Sequence, residues 1–306
     1  MPKKQVTNIA ASVRARLLTI AKSSGRDFDA VLLQYIQERF LYRLSQSAYR
    51  QSLILKGALL FLAYDISLLR PTRDIDFLGS AASNDLGAMS SIIADIARID
   101  LNDGVRFLAE TVSAERIAED AAYEGVRVKL TARLEAVKKV LQLGMGFGDV
   151  IVPGPVEMDF PVLLDDQPIP SLLVYSRESA IAEKFEALVS LSLLTSRMKD
   201  IYDILYLAER EMFSMLTLRE AVMATFARRS TARENRSVLF SKKFTDNTDK
   251  AEQWSAFLRR SRLGPFLTIV DAMARLEAFI EPVCSEEAEN KAVWNPAQWR
   301  WTPAKE

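Results

Sequence analysis

The sequence predicts an α+β (or α/β) region of mixed strands and helices over residues 1–175, followed by a mainly helical part over residues 176–306. Three observations carry that expectation. Apolar residues recur at helical spacing in residues 10–45 and again from Arg177 almost to the end. Between these stretches lie short alternating or apolar runs bounded by Gly and Pro, as in SLILKGALLFLAY and TRDIDFLG. At 306 residues and 49% hydrophobic, the chain can bury a sizeable core as one large domain or two of ordinary size.

The elements follow in order. Val31, Leu32, Tyr35, Ile36, Phe40 and Leu41 share a helical face, and residues 10–45 read as two amphipathic helices broken near Ser23-Ser24-Gly25. SLILKGALLFLAY changes character at Lys56-Gly57, which predicts strand, tight turn, helix. Arg70-Pro71-Thr72 cannot continue that helix, because proline lacks a backbone donor and restricts the residue before it. TRDIDFLG then alternates Thr72, Asp74 and Asp76 on one side with Arg73, Ile75 and Phe77 on the other, a strand with one polar edge. Residues 86–98 read as helix, 105–108 and 124–131 as strands, and 134–140 as strand or strand–helix. The four glycines and two prolines of LGMGFGDVIVPGP mark a strand end running into an irregular loop, and Leu172–Tyr175 is another short strand. Helix follows from Arg177, with breaks at 195–199, 231–235 and Gly264-Pro265. No internal repeat is apparent.

Composition removes whole classes of chemistry. With no histidine, imidazole bases, Ser-His-Asp and Cys-His hydrolases and histidine-ligated metals are excluded. The one cysteine, Cys284, has no internal disulfide partner and reads as an ordinary free thiol. No apolar run reaches the roughly 18 residues of a membrane span, and MPKKQVTN does not begin a secretory signal, so a cytoplasmic protein with no membrane partner is expected. Lys+Arg and Asp+Glu balance at 40 each, but Arg228, Arg229, Arg233, Arg236, Lys242 and Lys243 face only Glu234 in their stretch. That strip could contact RNA phosphates or be a solvated helix face.

Asp74 and Asp76, one residue apart on a strand, leave the same face roughly 6.5–7 Å apart at Cα. Two acids so placed can share oxygen-seeking cations that in turn bind phosphate oxygens. A D-x-D pair alone is common. Here a Lys56-Gly57 turn opens a helix upstream, and glycine lets backbone amides approach a phosphate at a helix start.

LKGALLF, RPTRDIDFLG, DGVRF, YEGVRVKLTARL, GFGDVIVPGP, YSRESAIAEKFEALV and SRMKDIYDI, in this order, resemble the AbiEii/AbiGii family of toxin–antitoxin toxins, members of the polymerase-beta-like nucleotidyltransferases. The similarity runs from about residue 10 to 280. It implies a nucleotidyltransferase-like mixed sheet followed by the helical part. It also implies Mg²⁺ or Mn²⁺ with an NTP as donor, an RNA acceptor such as the tRNA 3′ end, and a cognate antitoxin as partner. By position it assigns Asp74 and Asp76 to the metal and to catalysis. Lys56, Gly57, Thr72 and Arg73 are assigned to the nucleotide, and Lys184 and Asp200 to the catalytic set. Read from the residues alone, Lys184 lies on the edge of an apolar helix face and needs a partner, which triphosphate, a catalytic carboxylate or a plain ion pair would supply. Asp200 opens the next helix, where capping alone would explain an acid.

One departure stands out. A third acid is expected on the strand before GFGD, and Gly144 stands there. Either Asp149 substitutes as a metal ligand from the adjoining loop, or the chain is a weakly active or inactive nucleotide- or RNA-binding regulator of the same fold.

Overall fold

The computed structural model describes residues 8–64, 72–80, 84–120, 123–263, 267–285 and 291–304. The expected breaks at Arg70-Pro71 and Gly264-Pro265 lie outside them. The chain divides into two compact units, Met1–Gly148 with Val156–Val174, and Asp149–Pro155 with Tyr175–Glu306. The architecture is mixed α and β, with a seven-stranded mixed sheet in the first unit and eleven α-helices among the described residues. Of these helices, none is long and apolar enough to cross a membrane.

In the first unit, α1 (Ile9–Ser24) and α2 (Phe28–Ser45) are separated at Gly25, whose φ of +65° ends α1 in the left-handed region that glycine adopts without strain. Asn8 and Asp27 cap the two helices through their side chains. The strands are β1 (Leu53–Lys56), β2 (Asp74–Gly79), β3 (Val105–Asp120), β4 (Tyr123–Leu134), β5 (Val137–Phe147), β6 (Val156–Asp159) and β7 (Ser171–Val174). They lie in the order β3-β4-β5-β2-β1-β7-β6. A one-turn α3 (Leu60–Ala63) follows β1, and α4 (Leu86–Arg98) lies between β2 and β3. One sheet face is dry: Ile75, Phe77, Val126, Val128, Leu130, Ala132, Leu141, Leu143 and Met145 are all fully buried. Towards it turn the apolar residues of α2, with Phe40 edge-on to Phe107 and Tyr35 donating to the Asp103 carbonyl at 2.8 Å. Arg43 on α2 meets Asp103 at 2.6 Å, both buried.

One departure from expectation concerns β3, while β5 resolves an alternative left open. The strand expected at 105–108 runs on to Asp120 through an irregularity between Leu108 and Ser113, which breaks the alternation a short window detects. Residues 134–140, read as strand or strand–helix, are strand: Leu134 ends β4 and Val137 begins β5 after a tight turn with Glu135 at φ +51°.

The second unit contains α5 (Arg177–Leu191), α6 (Met198–Arg210), α7 (Met215–Arg228), the short α8 (Arg236–Leu239) and α9 (Lys242–Thr245), α10 (Thr248–Arg260) and α11 (Ile269–Cys284). It ends in a hairpin, β8 (Ala292–Asn295) and β9 (Arg300–Pro303), where helix was expected almost to the end. Trp294 is fully buried, donates its indole N–H to the Ala208 carbonyl at 2.6 Å and packs edge-on to Phe279. Trp301 stacks on the same Phe279, so the hairpin closes this core. Burial pushes the Cys284 thiol up to about 11, which leaves it unreactive at neutral pH.

Candidate active site

The centre of the first unit's sheet is built around Asp76. On β1, Lys56 stands directly opposite it, and on β5, Gly144 does. Asp74 is likewise opposite Gln142, whose side-chain N–H donates to one Asp74 carboxylate oxygen at 3.0 Å. Both aspartates are half-exposed, while Ile75 and Phe77 between and beyond them are buried. The alternation in DIDF therefore sorts acids from core.

Space for the Asp76 carboxylate comes from two glycines. A Cβ on Gly144 would lie 2.8 Å from one Asp76 oxygen, and a Cβ on Gly57 would run into the other. Gly57 also has φ +73°, so it makes the turn from β1 towards α3 that other residues would strain to adopt. The position at which a third acid was expected is thus the socket wall of the second one. Any side chain there would displace Asp76.

Thr72 lies before β2 rather than in it. Its hydroxyl donates to the Asp74 carbonyl at 3.4 Å, and Arg73 beside it is exposed. Gln37, buried on α2, donates to the Arg73 carbonyl at 3.1 Å and so anchors the chain as it enters the acid strand. Sequence reasoning passed over Gln37 and Gln142. The signal for Gln142 was available, since it is a polar residue at an alternate position of an otherwise apolar strand end, VLQLGMGF.

In the second unit the sequence-predicted residues form two ion clusters. Lys184 on α5 donates to Asp200 at 3.1 Å and to Asp203 at 2.8 Å, both acids on α6 and buried. Arg197 holds the other Asp200 oxygen at 2.5 Å. Burial alone would raise the Asp200 carboxyl, but Lys184 and Arg197 outweigh it and hold it below the ordinary range.

The other cluster centres on Arg229. It reaches Asp149 at 3.1 Å and Glu186 at 2.9 Å, and Thr231 donates to the second Glu186 oxygen at 2.5 Å. Tyr175 donates to Glu183 at 2.7 Å beside it. Burial would lower the Arg229 pKa, but Glu183, Asp149 and Glu186 together raise it. Arg229 therefore faces inward, so a phosphate-contacting strip can draw only on the other five residues. Of these, Arg236 pairs with Glu281 at 2.8 Å, Arg233 is half-buried, and Arg228, Lys242 and Lys243 are exposed. Asp149 meets a guanidinium, and among the described residues no group of three or more acidic or cysteine side chains is arranged to hold a metal ion.

The AbiEii nucleotidyl transferase toxins of type IV toxin–antitoxin systems match residues 39–280 as a family model. The chain belongs to this family. It is accordingly a nucleotidyltransferase of a toxin–antitoxin toxin family. Two solved structures are similar to it. JHP933 from Helicobacter pylori matches at 16% identity with a TM-score of 0.47, covering 84% of this chain and 92% of that one. A second H. pylori structure, provisionally assigned as a nucleotidyltransferase, matches at 16% identity with a TM-score of 0.47, covering 84% of this chain and 95% of that one. No curated protein sequence matches.

Proposed function

We propose that this AbiEii-family chain transfers a nucleotidyl group from an NTP to the 3′ end of an RNA, tRNA in particular, with Asp74 and Asp76 holding Mg²⁺ or Mn²⁺. The observation that carries the reading is the acid pair itself. Two carboxylates leave one strand face half-exposed, one seated between two glycines and the other oriented by an amide N–H that leaves its second oxygen open. Hard oxygen donors in that number suit Mg²⁺, which is usually held by one or two carboxylates and completes its shell with water and substrate phosphates. Once bound, the cation neutralises triphosphate charge and polarises the reacting phosphorus.

The remaining roles fall to the chain. Gln142 keeps one Asp74 oxygen engaged and would leave the other to a cation. The Gly57 turn, whose side-chain space the Asp76 carboxylate fills, sets that acid beside Lys56, the adjacent cation for the nucleotide. Thr72 and the exposed Arg73 precede the acid strand and would serve the nucleotide from there. Lys184, held by Asp200 and Asp203, is a positioned ammonium suited to a phosphate oxygen, and Asp200 orients it. The acceptor hydroxyl attacks the α-phosphorus in line and pyrophosphate leaves, a reaction driven by positioning and charge neutralisation. A cognate antitoxin would restrain this activity in the cytoplasm. The two compact units would correspond to a catalytic domain, expected over residues 1–175, and a helical domain over 176–306. The residue at 144 favours a second reading, slow or silenced transfer by a nucleotide- or RNA-binding regulator, since no acid stands there.

One assay separates them. Purified protein with Mg²⁺ and each α-labelled NTP is expected to label total tRNA with one NTP preferred. No transfer to any RNA or protein, together with NTP binding, would leave the regulator.

A further inference from the structure

The sheet face that carries Asp74 and Asp76 does not end at β5. Unbroken register between β4 and β5 sets Arg127 opposite Gly144, Lys129 opposite Gln142, Thr131 opposite Val140 and Arg133 opposite Lys138. The β3–β4 pair adds Glu115 opposite Arg127 and Arg106 opposite Arg133. Opposed residues share a face. The alternate residues of β4, from Val126 to Leu134, are the buried ones, so the acid-bearing face is turned away from the core. It is open: Arg106, Arg133, Lys138 and Val140 are exposed, and the Arg127 and Lys129 side chains keep 37% and 44% of their surface.

Charge on this face is lopsided. On its β3–β5 part, Arg106, Arg127, Lys129, Arg133 and Lys138 are set against Glu115, which lies 3.0 Å from Lys129 and 3.8 Å from Arg127. Arg106, Arg133 and Lys138 stand abreast on three adjacent strands, with no carboxylate in ion-pair reach among the described residues. The nearby Glu135 carboxylate faces Arg14 at 3.9 Å, and Arg133 finds only the Glu135 carbonyl, at 2.5 Å. Like charges directly opposite one another destabilise a strand pair. Three in a row, uncompensated, cost the fold something that an external anion would relieve.

We propose that this face is the track along which the phosphate backbone of the RNA acceptor approaches the acid pair, the Arg106–Arg133–Lys138 row gripping a phosphate upstream of the reacting end. Arg133 lies six residues along β4 from Arg127. At about 3.3 Å per residue the row is roughly 20 Å from the level of Asp76, so its anion belongs to a polymer extending beyond the reacting nucleotide. That the polymer is the acceptor RNA rests on the transfer reaction proposed above. That the face binds a polyanion does not.

The test compares the full-length wild type with the Arg106→Ala/Arg133→Ala/Lys138→Ala variant and with Lys242→Ala/Lys243→Ala. Binding of labelled tRNA and of a labelled oligoribonucleotide is titrated between about 50 and 200 mM salt, with Mn²⁺ binding followed separately by paramagnetic resonance. The triple variant is expected to bind RNA about tenfold or more weakly and to lose about two to three from its log–log salt slope. It should also melt at or above the wild-type temperature, because repulsion has been removed, and keep wild-type Mn²⁺ affinity. Should it melt lower, Arg106→Ala and Lys138→Ala alone carry the test, each lowering the slope by about one. Unchanged RNA affinity and slope would overturn the assignment, as would loss of binding to an acidic protein but not to RNA. Failure of the wild type to bind Mn²⁺ would instead count against the acid pair as a metal site, and the RNA result would still decide this face.

Discussion

Carboxylates occupy two kinds of setting in this molecule. In the sheet unit, Asp74 is met by an amide N–H and, among the described residues, by no cation within ion-pair distance. In the helical unit, Asp200 and Asp203 are buried against Lys184 and Arg197, while buried Glu186 and part-buried Asp149 meet Arg229. A buried acid must be paired to persist, whereas a half-exposed acid can wait for a ligand. The difference separates charged groups already paired within the fold from groups left to bind something else. It also moves Arg229, which in sequence belongs to a basic strip, into the first group.

Disturbing each kind of setting should therefore fail differently. Asp74→Ala and Asp76→Ala are each expected to reduce transfer to background and Mn²⁺ binding with it, and Asp74→Ala to leave the melting temperature unchanged or higher. Full activity with a metal requirement in both variants would sink the assignment. Arg229→Met should behave in the opposite sense. Leaving buried Glu186 and part-buried Asp149 without their guanidinium should cost about 3 kcal/mol of stability by denaturant titration. Arg228→Ala next door should cost almost nothing, and equal effects from the two would erase the distinction between inward and outward positions.

Smaller effects probe the socket. Restoring an acid with Gly144→Asp is expected to lower transfer, since its Cβ falls 2.8 Å from an Asp76 oxygen. Gln142→Leu, which removes the only N–H on Asp74 that the described contacts provide, should lower metal affinity and transfer about ten- to a hundredfold without changing the melting temperature. A Gly144→Asp variant faster than wild type would mean that the missing acid, rather than the space, limits the enzyme.

How legible all this was depended on the range of the interactions. LKGALLF and DIDFLG declared strand, turn and face because alternation and a glycine act locally, and the acid pair with its Gly57 turn was readable for that reason. The direction in which Arg229 points depends on Asp149 and Glu186, 80 and 43 residues away in sequence, and counting neighbouring charges carries no such information. The β8–β9 hairpin did leave a trace. AVWN and RWTP, with Asn295-Pro296 between them, pair tryptophans across a turn, but the preceding helical run masked so short a signal. The basic face of β3–β5 required register, since Arg106, Arg133 and Lys138 are adjacent only once three strands are aligned.

The smallest effect concerns a buried carboxyl in the sheet unit that resolves the contest of burial and charge the other way. Glu38 on α2 is fully buried beside Arg39 at 2.7 Å and accepts the Leu163 N–H at 2.8 Å, yet burial pushes its carboxyl up to about 7. Asp200, with two cations, is held low, whereas Glu38, with one, is not. A carboxyl raised above its ordinary 4.5 stabilises the folded state fully at pH below 4.5, and that contribution is lost as pH rises towards and through about 7. Between about pH 6 and 8 the loss should be about 1 kcal/mol. Glu38→Gln changes stability by a constant, because Arg39 and Leu163 donate to different carboxylate oxygens and one of these becomes an amide N–H₂, but it removes the titration. The slopes of stability against pH must therefore be compared rather than the levels. The wild type should lose stability across that window more steeply than Glu38→Gln, and parallel curves would mean that Arg39 keeps Glu38 ionised throughout, as Lys184 and Arg197 do for Asp200.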